Sequence, residues 1–541
     1  MKDQGEGTRD KGQAVGGRGG GSRRGFSFKF LIPGTWSLVP ALFSAALFAI
    51  AFPPFPFLVP AFVCLAPLAV AIARLADGDG TTRAAAGMGF WFGFLGYACN
   101  LYWIAIALSL YTKLAILGYV ASLIWLAPFV ALFAAALFTL RRGTRWPMAI
   151  LLPAVWVALE LALNYLSDLS FPWLPLGLSV ARIPIIAQIA ELSGVRGVSF
   201  WMAATNGLLA DAWLMRAERR AVLVRAAAIA GLAAFVVLYG VWRMGAVVMR
   251  NVAPIAVVQP NIPQEEKWQE DNRDRIVGIL AEQTRALMTQ SDAQLVVWPE
   301  VALPGFLVEH PEWRDTLNAL SAIDRTPILF GVLDVVYRTP EDYSYFNAAM
   351  LADSSGAVDG QPTYHKEYLV PIVERVPFVN PEWFKSLKYF GGYGRGADQP
   401  PYQLPFGKFG VLICYESIYP QLSREYRKGG ADILVNITND AWFGRSIAPY
   451  QHESHLVLRA IENRVGIIRS ANTGISEYVD PLGRVHGATP LFTREARTWV
   501  AQTTDLQTPY VLAGDWLGSA SLLGTLVGLI MVRRRRPPKP A

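Results

Sequence analysis

Charge is scarce in this chain. Of its 541 residues only 17% are Asp, Glu, Lys or Arg, against 53% that are hydrophobic, a balance too apolar for an ordinary water-soluble protein. Cysteine is scarcer, with three residues, Cys64, Cys99 and Cys414. The first two fall inside long apolar runs. Cys414 is therefore alone in the polar part of the chain, without a disulfide partner there, which counts against a structural role. No Gly-rich phosphate loop follows any strand-like run, so a nucleotide-dependent reaction has no support. No repeat at a solenoid period is present. His452 and His455 stand three apart with Glu453 between them, but no third ligand has the spacing of a metal site. No metal or other cofactor is expected.

What the chain has in abundance is apolar runs of membrane length, about 20 residues each. They lie near 36–52, 56–75, 86–108, 114–139, 148–165, 194–214, 225–247 and 513–532. The link after span two carries Arg74 and Arg83, that after span four Arg141, Arg142 and Arg145, and that after span six Arg216, Arg219 and Arg220. Arg533 to Arg536 follow the last span, and Arg18, Arg23, Arg24 and Lys29 precede the first. Every even-numbered link is basic and the odd ones are poor in positive charge, so both termini are expected in the cytoplasm and residues 251–508 outside. The net charge of +7 then serves orientation and gives no reason to invoke nucleic acid.

The expected organisation is a disordered basic tail (1–28), a membrane domain of seven helices (29–250), an outward domain (251–508), an eighth span (509–532) and a basic cytoplasmic tail (533–541). "AFPPFPFLVP" reads as a Pro-rich hairpin into span two, so span one is expected to be an uncleaved anchor. Glu160, near the outer end of span five, is either a functional group or an interfacial carboxylate.

The outward domain alternates strands and helices. Strands are expected at 254–259, 294–299, 327–335, 345–352, 409–414, 432–437, 465–470, 476–480 and 498–504. Helices are expected at 266–289, 311–323, 417–428 and 447–463. Runs 327–335 and 345–352 look like a hairpin, so the sheets should be mixed and the fold a layered α/β sandwich. Three strand ends carry chemistry: "LVVWPE" ends at Glu300, "YHKEYLVPIVERVPF" contains Lys366, and "FGVLICYES" delivers Cys414. A base, a cation and a thiol together are what acyl transfer through a thioester requires. On the residues alone, a membrane-tethered hydrolase using water as acceptor remains open, as does a transporter with an outer ligand-binding domain. The aromatic, Lys-bearing stretch "NPEWFKSLKYFGGYG" (380–394) is read as a lid hinged at Gly391, Gly392 and Gly394.

The order Glu, Lys, Cys with "CYES" resembles the nitrilase (carbon–nitrogen hydrolase) superfamily. With "QPNIPQEEKW" (259–268), "WPE" (298–300), "YHKEYLVPIVERVPF" (364–378), "CYES" (414–417) and "NDAWFGRSIAPYQH" (439–452) in an eight-span frame, the chain resembles the apolipoprotein N-acyltransferase family. The resemblance implies an αββα catalytic domain on the periplasmic face of a bacterial inner membrane. It implies Cys414 as nucleophile, Glu300 as general base and Lys366 as the cation at the oxyanion. It further implies that Glu374 assists them, that Tyr415 and Glu416 shape the surroundings of the thiol and the site of the incoming amine, and that Trp268 contacts substrate. The implied partners are a phospholipid acyl donor, an S-diacylglyceryl apolipoprotein acceptor and the lipid bilayer, in the last step of lipoprotein maturation. One departure is visible: where the family usually has Phe-Gly before the glutamate matched by Glu374, this chain has Ile372-Val373.

Overall fold

In the computed structural model, residues 35–339, 342–376, 378–380, 383 and 391–535 are described. The expected 1–28 tail, most of the expected lid (381, 382 and 384–390) and the end of the C-terminal tail lie outside them.

The N-terminal part is helical, with Thr35–Ala49, Val59–Val63 running into Ala66–Asp77, Thr82–Leu101 into Trp103–Ser109, then Ala115–Thr144, Met148–Asn164, Val195–Leu214 and Arg219–Ala246; Trp516–Arg534 returns at the C-terminus. Four of these helical stretches are long and apolar enough to cross a membrane, or five if Thr82–Leu101 and Trp103–Ser109, bent by 55°, count as one. Helices 82–101 and 115–144 pack with their backbones close. A Cβ on Gly89 would stand 2.5 Å from that of Ala134, and one on Gly93 would stand 2.7 Å from Val130, so small residues are required at this crossing.

Polar side chains in this part serve backbone ends. The break before Ala66 follows from Pro67, which cannot continue the preceding helix. The amides of Leu65 and Ala66 freed there donate to Asn206 Oδ1 at 2.8 and 3.0 Å. Asp211 accepts from the amides of Met148 and Ala149, both at 3.0 Å, and so caps the helix that begins at Met148. Glu160 is buried, and its Oε1 accepts from Trp156 Nε1 at 2.8 Å and from the Leu176 amide at 2.7 Å. It ties its helix to the following loop.

The rest of the chain builds two sheets from β1 (Arg250–Gln259), β2 (Leu295–Val297), β3 (Leu303–Phe306), β4 (Ile328–Tyr337), β5 (Tyr343–Ala352), β6 (Tyr364–His365), β7 (Tyr402–Leu404), β8 (Gly407–Ile413), β9 (Ile433–Thr438), β10 (Gly466–Ala471), β11 (Glu477–Val479), β12 (Val485–His486) and β13 (Glu495–Thr503). One sheet has the order β13-β1-β2-β4-β5-β6 with β3 on β4, and the other β12-β11-β10-β9-β8-β7. Both are mixed: β1-β2-β4 and β8-β9-β10 are parallel, while β4-β5 is the expected antiparallel hairpin.

Side-chain alternation explains the layering. Ile255 and Val257 of β1 join Val411, Ile413, Val435 and Ile468 between the sheets. Ala256 and Val258 face helices Arg273–Met288 and Pro311–Asp324. On the other sheet lie Pro420–Lys428 and Ala448–Asn463. The apolar core under these two helices is continuous with that of the N-terminal helices.

The junction is polar as well as apolar. Arg464 Nε lies 2.7 Å from Glu191, and the Val195 amide donates to Glu462 at 2.6 Å. Trp173 Nε1 donates to Gln451 at 2.8 Å. The helical and sheet parts thus meet over a buried surface.

Candidate active site

The three chemical strand ends converge because β2, β6 and β8 finish on one side of the sandwich. Glu300 follows β2. Its Oε1 accepts from Asn347 Nδ2 at 2.7 Å, its Oε2 from the Asn439 amide at 2.8 Å, and its carbonyl from Lys267 Nζ at 3.0 Å. Lys366 is the residue after β6, held there by its amide on the Asn347 carbonyl at 2.9 Å. Its Nζ stands 2.9 Å from Glu374 Oε1 and 3.4 Å from Glu300 Oε1. Asn347, on β5, also donates to Glu374 at 3.0 Å, so one amide holds both carboxylates. Glu374 Oε2 accepts from the Val370 amide at 2.7 Å.

Cys414 follows β8 with φ +52°, a left-handed turn that lifts its side chain off the end of the strand. Burial is the largest influence on this thiol and, with the Glu300 charge, pushes it well above the ordinary range, against the opposing pull of Lys366. It rests protonated, so a base must take the proton as the thiol attacks. Burial works against the charge of Lys366, but Glu374 and Glu300 outweigh it and hold the ammonium well above its usual value. Lys267, buried beside them, is lowered by burial to about 8, against Glu300 and Cys414, which raise it.

These groups line a cavity of about 690 Å³. The same cavity is lined by Trp103 and Leu108 of the bent helix and by Ser122 and Trp125 of the next. Tyr111, stacked on Trp442 with ring centroids 5.2 Å apart, lines it too. Charged groups and apolar helix side chains share one cavity, which suits an acyl chain whose carbonyl lies at the thiol.

Of the residues singled out in the sequence, Glu300, Lys366, Glu374, Cys414, Tyr415 and Trp268 all line this cavity. Glu416 does not. Its Oε1 accepts from Tyr364 OH at 2.7 Å and from the amides of Glu367 and Tyr368 at 2.7 and 3.2 Å, and its Oε2 from the Ile413 amide at 2.7 Å. It joins the loop after Lys366 to the turn before Cys414. Tyr415 OH donates to the Ser170 carbonyl at 3.0 Å. The Ile372-Val373 departure falls on a turn in which Ile372 takes φ +73°, uncommon for a β-branched residue.

His452, His455 and Glu453 diverge. His452 faces Asp440 and the Cys414 carbonyl, His455 the Trp173 carbonyl, and Glu453 Arg182. Among the described residues no group of three or more His, Cys, Asp or Glu is arranged to hold a metal ion. Sequence reasoning missed Asn347, Lys267, Tyr111 and the helix-borne aromatics. Lys267 lies inside the motif 259–268 and Asn347 on the expected strand 345–352, whereas nothing local marks Tyr111 or Trp125.

Residues 254–508 match the family Carbon-nitrogen hydrolase, and residues 44–208 match Apolipoprotein N-acyltransferase N-terminal domain. An apolipoprotein N-acyltransferase of Geobacter metallireducens is 34% identical over 510 residues, covering 92% of this chain and 95% of its own. That of Methylococcus capsulatus is 32% identical over 515 residues, covering 92% and 97%. A solved amidase from Nesterenkonia sp. AN1 is 18% identical, with a TM-score of 0.36, over 48% of this chain and 96% of its own. With a helical N-terminal part and a carbon–nitrogen hydrolase part matched in order along almost its whole length, the chain belongs to the apolipoprotein N-acyltransferase family.

Proposed function

We propose that this protein moves an acyl chain from a phospholipid to the N-terminal amine of an S-diacylglyceryl apolipoprotein in two steps through a thioester on Cys414. The observation that carries this reading is one cavity lined both by Cys414, Glu300 and Lys366 and by apolar side chains of the N-terminal helices, Trp103, Leu108 and Trp125 among them.

In the first step Sγ attacks the ester carbonyl while Glu300 takes the thiol proton. Lys366 stabilises the tetrahedral oxyanion, and collapse expels the glycerol alkoxide, which receives the proton from Glu300 as lysophospholipid leaves. In the second step the neutral α-amine attacks the thioester carbonyl. Glu300 takes a proton from that nitrogen and returns it to the departing thiolate, and the product is an amide. Glu374 and Asn347 hold Lys366 and Glu300 in register throughout. The eight apolar stretches are read as spans, with the sandwich on the outer face of a bacterial inner membrane and both termini in the cytoplasm. Reporters fused after residue 220 and within 300–450 should then read inside and outside respectively.

The test is the intact mass of the purified protein after incubation with phospholipid. One acyl increment on the Cys414 peptide is expected, labile to hydroxylamine, matched by released lysophospholipid and lost when a diacylglyceryl lipopeptide is added. An unchanged mass, or an increment that Cys414→Ala also acquires, overturns the reading.

A further inference from the structure

Behind the thiol runs a fully buried chain of polar groups that the two steps above leave unused. Arg469 Nη2 lies 2.7 Å from Asp440 Oδ2, Thr438 Oγ1 donates to Asp440 Oδ1 at 3.0 Å, and Asp440 Oδ1 lies 2.9 Å from His452 Nδ1. Arg469 Nη2 also approaches His452 Nδ1 at 3.1 Å. The chain ends where His452 Nε2 meets the main-chain carbonyl of Cys414 at 3.0 Å. A carbonyl only accepts, so Nε2 carries the proton of this bond. Asp440, His452 and Arg469 are all fully buried. A buried network of this kind is costly unless every member is satisfied, and it is rigid when it is.

The carbonyl that His452 grips belongs to the peptide whose other end is the Tyr415 N–H. In a trans peptide the C=O and N–H point in opposite directions, so fixing one aims the other. The Tyr415 N–H lies in the first turn of the short helix Cys414–Ile418, where an amide has no intrahelical acceptor, and it has none among the described residues. Cys414 and Tyr415 both line the cavity. The Cys414 carbonyl thus meets the His452 ring as well as opening a short helix, and the side-chain bond adds a second constraint on the rotation of this peptide plane.

We propose that His452, braced by Asp440, is a positioning residue that turns the Cys414–Tyr415 peptide so that the Tyr415 N–H joins Lys366 in binding the oxyanion. The inference rests on the proposed thioester at Cys414. It separates two properties of that thiol: reaction with an alkyl halide needs a thiolate but forms no oxyanion, whereas acylation from an ester needs both.

The experiment uses the full-length protein in detergent and compares the rate of Cys414 alkylation by iodoacetamide with its rate of acylation by labelled phospholipid. His452→Asn places an amide near Nδ1, next to Asp440, but cannot reach the Cys414 carbonyl. His452→Gln places an N–H near Nε2 and can. The ratio of acylation to alkylation should fall about 100-fold in the Asn variant, the loss typical of one oxyanion donor, and stay within about tenfold of wild type in the Gln variant. An unchanged ratio in the Asn variant, or equal falls in both, overturns the inference. Failure of the wild-type protein to acquire label at all would instead overturn the thioester mechanism beneath it.

Discussion

Lys366 Nζ stands 2.9 Å from Glu374 Oε1, closer than its 3.4 Å to Glu300 Oε1. The ammonium is therefore shared between two carboxylates whose other oxygens are held by the Val370 and Asn439 amides. Such a site fits a compact point charge. Guanidinium is planar and larger, and it needs a fork of acceptors in one plane. Lys366→Arg should lower the rate of Cys414 acylation by at least about 100-fold, the scale of a lost oxyanion donor, although its charge is kept. Label retained on the protein after incubation with phospholipid checks this, and turnover near wild type would remove Lys366 from the oxyanion site.

Lys267 offers a pH test. Its buried ammonium is lowered from an ordinary 10.5 to about 8. Below pH 8 both folded and unfolded states hold the proton, and the folded state bears the cost of burying it. Between pH 8 and 10.5 the unfolded state binds more protons, so stability rises with pH through that window. Lys267→Met removes the titration. Its stability relative to wild type should therefore decline by up to about 3 kcal/mol from pH 7.5 to pH 10, read as the difference between denaturation curves in detergent. A gap between the two proteins that stays constant with pH would mean that the lysine sits in a more solvated place.

The apolar lining of the cavity makes a claim about chain length. Ser122 faces the cavity from helix 115–144, beside Trp125. Ser122→Phe would fill the space that the far methylenes of a long acyl chain use, and each methylene excluded forfeits about 0.8 kcal/mol. The variant should load short-chain phospholipids at rates close to wild type and long-chain ones at least tenfold more slowly. Equal loss for all lengths would place the chain elsewhere.

How much of this was legible in the sequence depends on how local the signal is. Of the strands that fill the two sheets, β1, β2, β4, β5, β8, β9 and β10 announce themselves as largely apolar runs, and β11 and β13 as β-branched or aromatic residues mixed with polar ones. The two-residue strands Tyr364–His365 and Val485–His486 carry too little pattern to be seen. The helix expected at 417–428 begins at Pro420, because Cys414–Ile418 is a tighter turn imposed by the left-handed Cys414. Glu300 and Cys414 could be read because each ends a recognisable apolar run, and Lys366 because it lies inside the motif 364–378. Tyr111 and Trp125 could not, since in a membrane helix or its loop an aromatic at a cavity looks like one at lipid. Asp211 illustrates the same limit: as a sequence letter it is a charge near a span end, and only the fold shows that it caps the helix beginning at Met148.

Glu416 is where the structure gives the sharpest division of labour. Although it follows the nucleophile by two residues, its carboxylate is turned from the cavity and accepts three amides, those of Glu367, Tyr368 and Ile413. Two of these come directly after Lys366 and the third directly before Cys414. Removing the carboxylate leaves the buried Ile413 amide unpaired at roughly 1–3 kcal/mol, releases the partly buried amides of Glu367 and Tyr368, and frees the lysine loop to move relative to the thiol. Glu416→Ala should therefore fail in the first step, acquiring label from phospholipid at least about 100-fold more slowly, in line with displacement of an oxyanion donor. Tyr415→Phe is the contrast. It loses the hydroxyl's contacts with the Ser170 carbonyl at 3.0 Å and with Tyr419 but keeps the ring on the cavity wall, so it should load within about tenfold of wild type, a margin of about 1.4 kcal/mol. The measurement is hydroxylamine-sensitive label on the protein at early times, followed by addition of lipopeptide acceptor. If Glu416→Ala loads at the normal rate and is slow only after acceptor is added, its carboxylate serves the incoming amine, and the link between the Lys366 loop and the Cys414 turn is not what sets the first step.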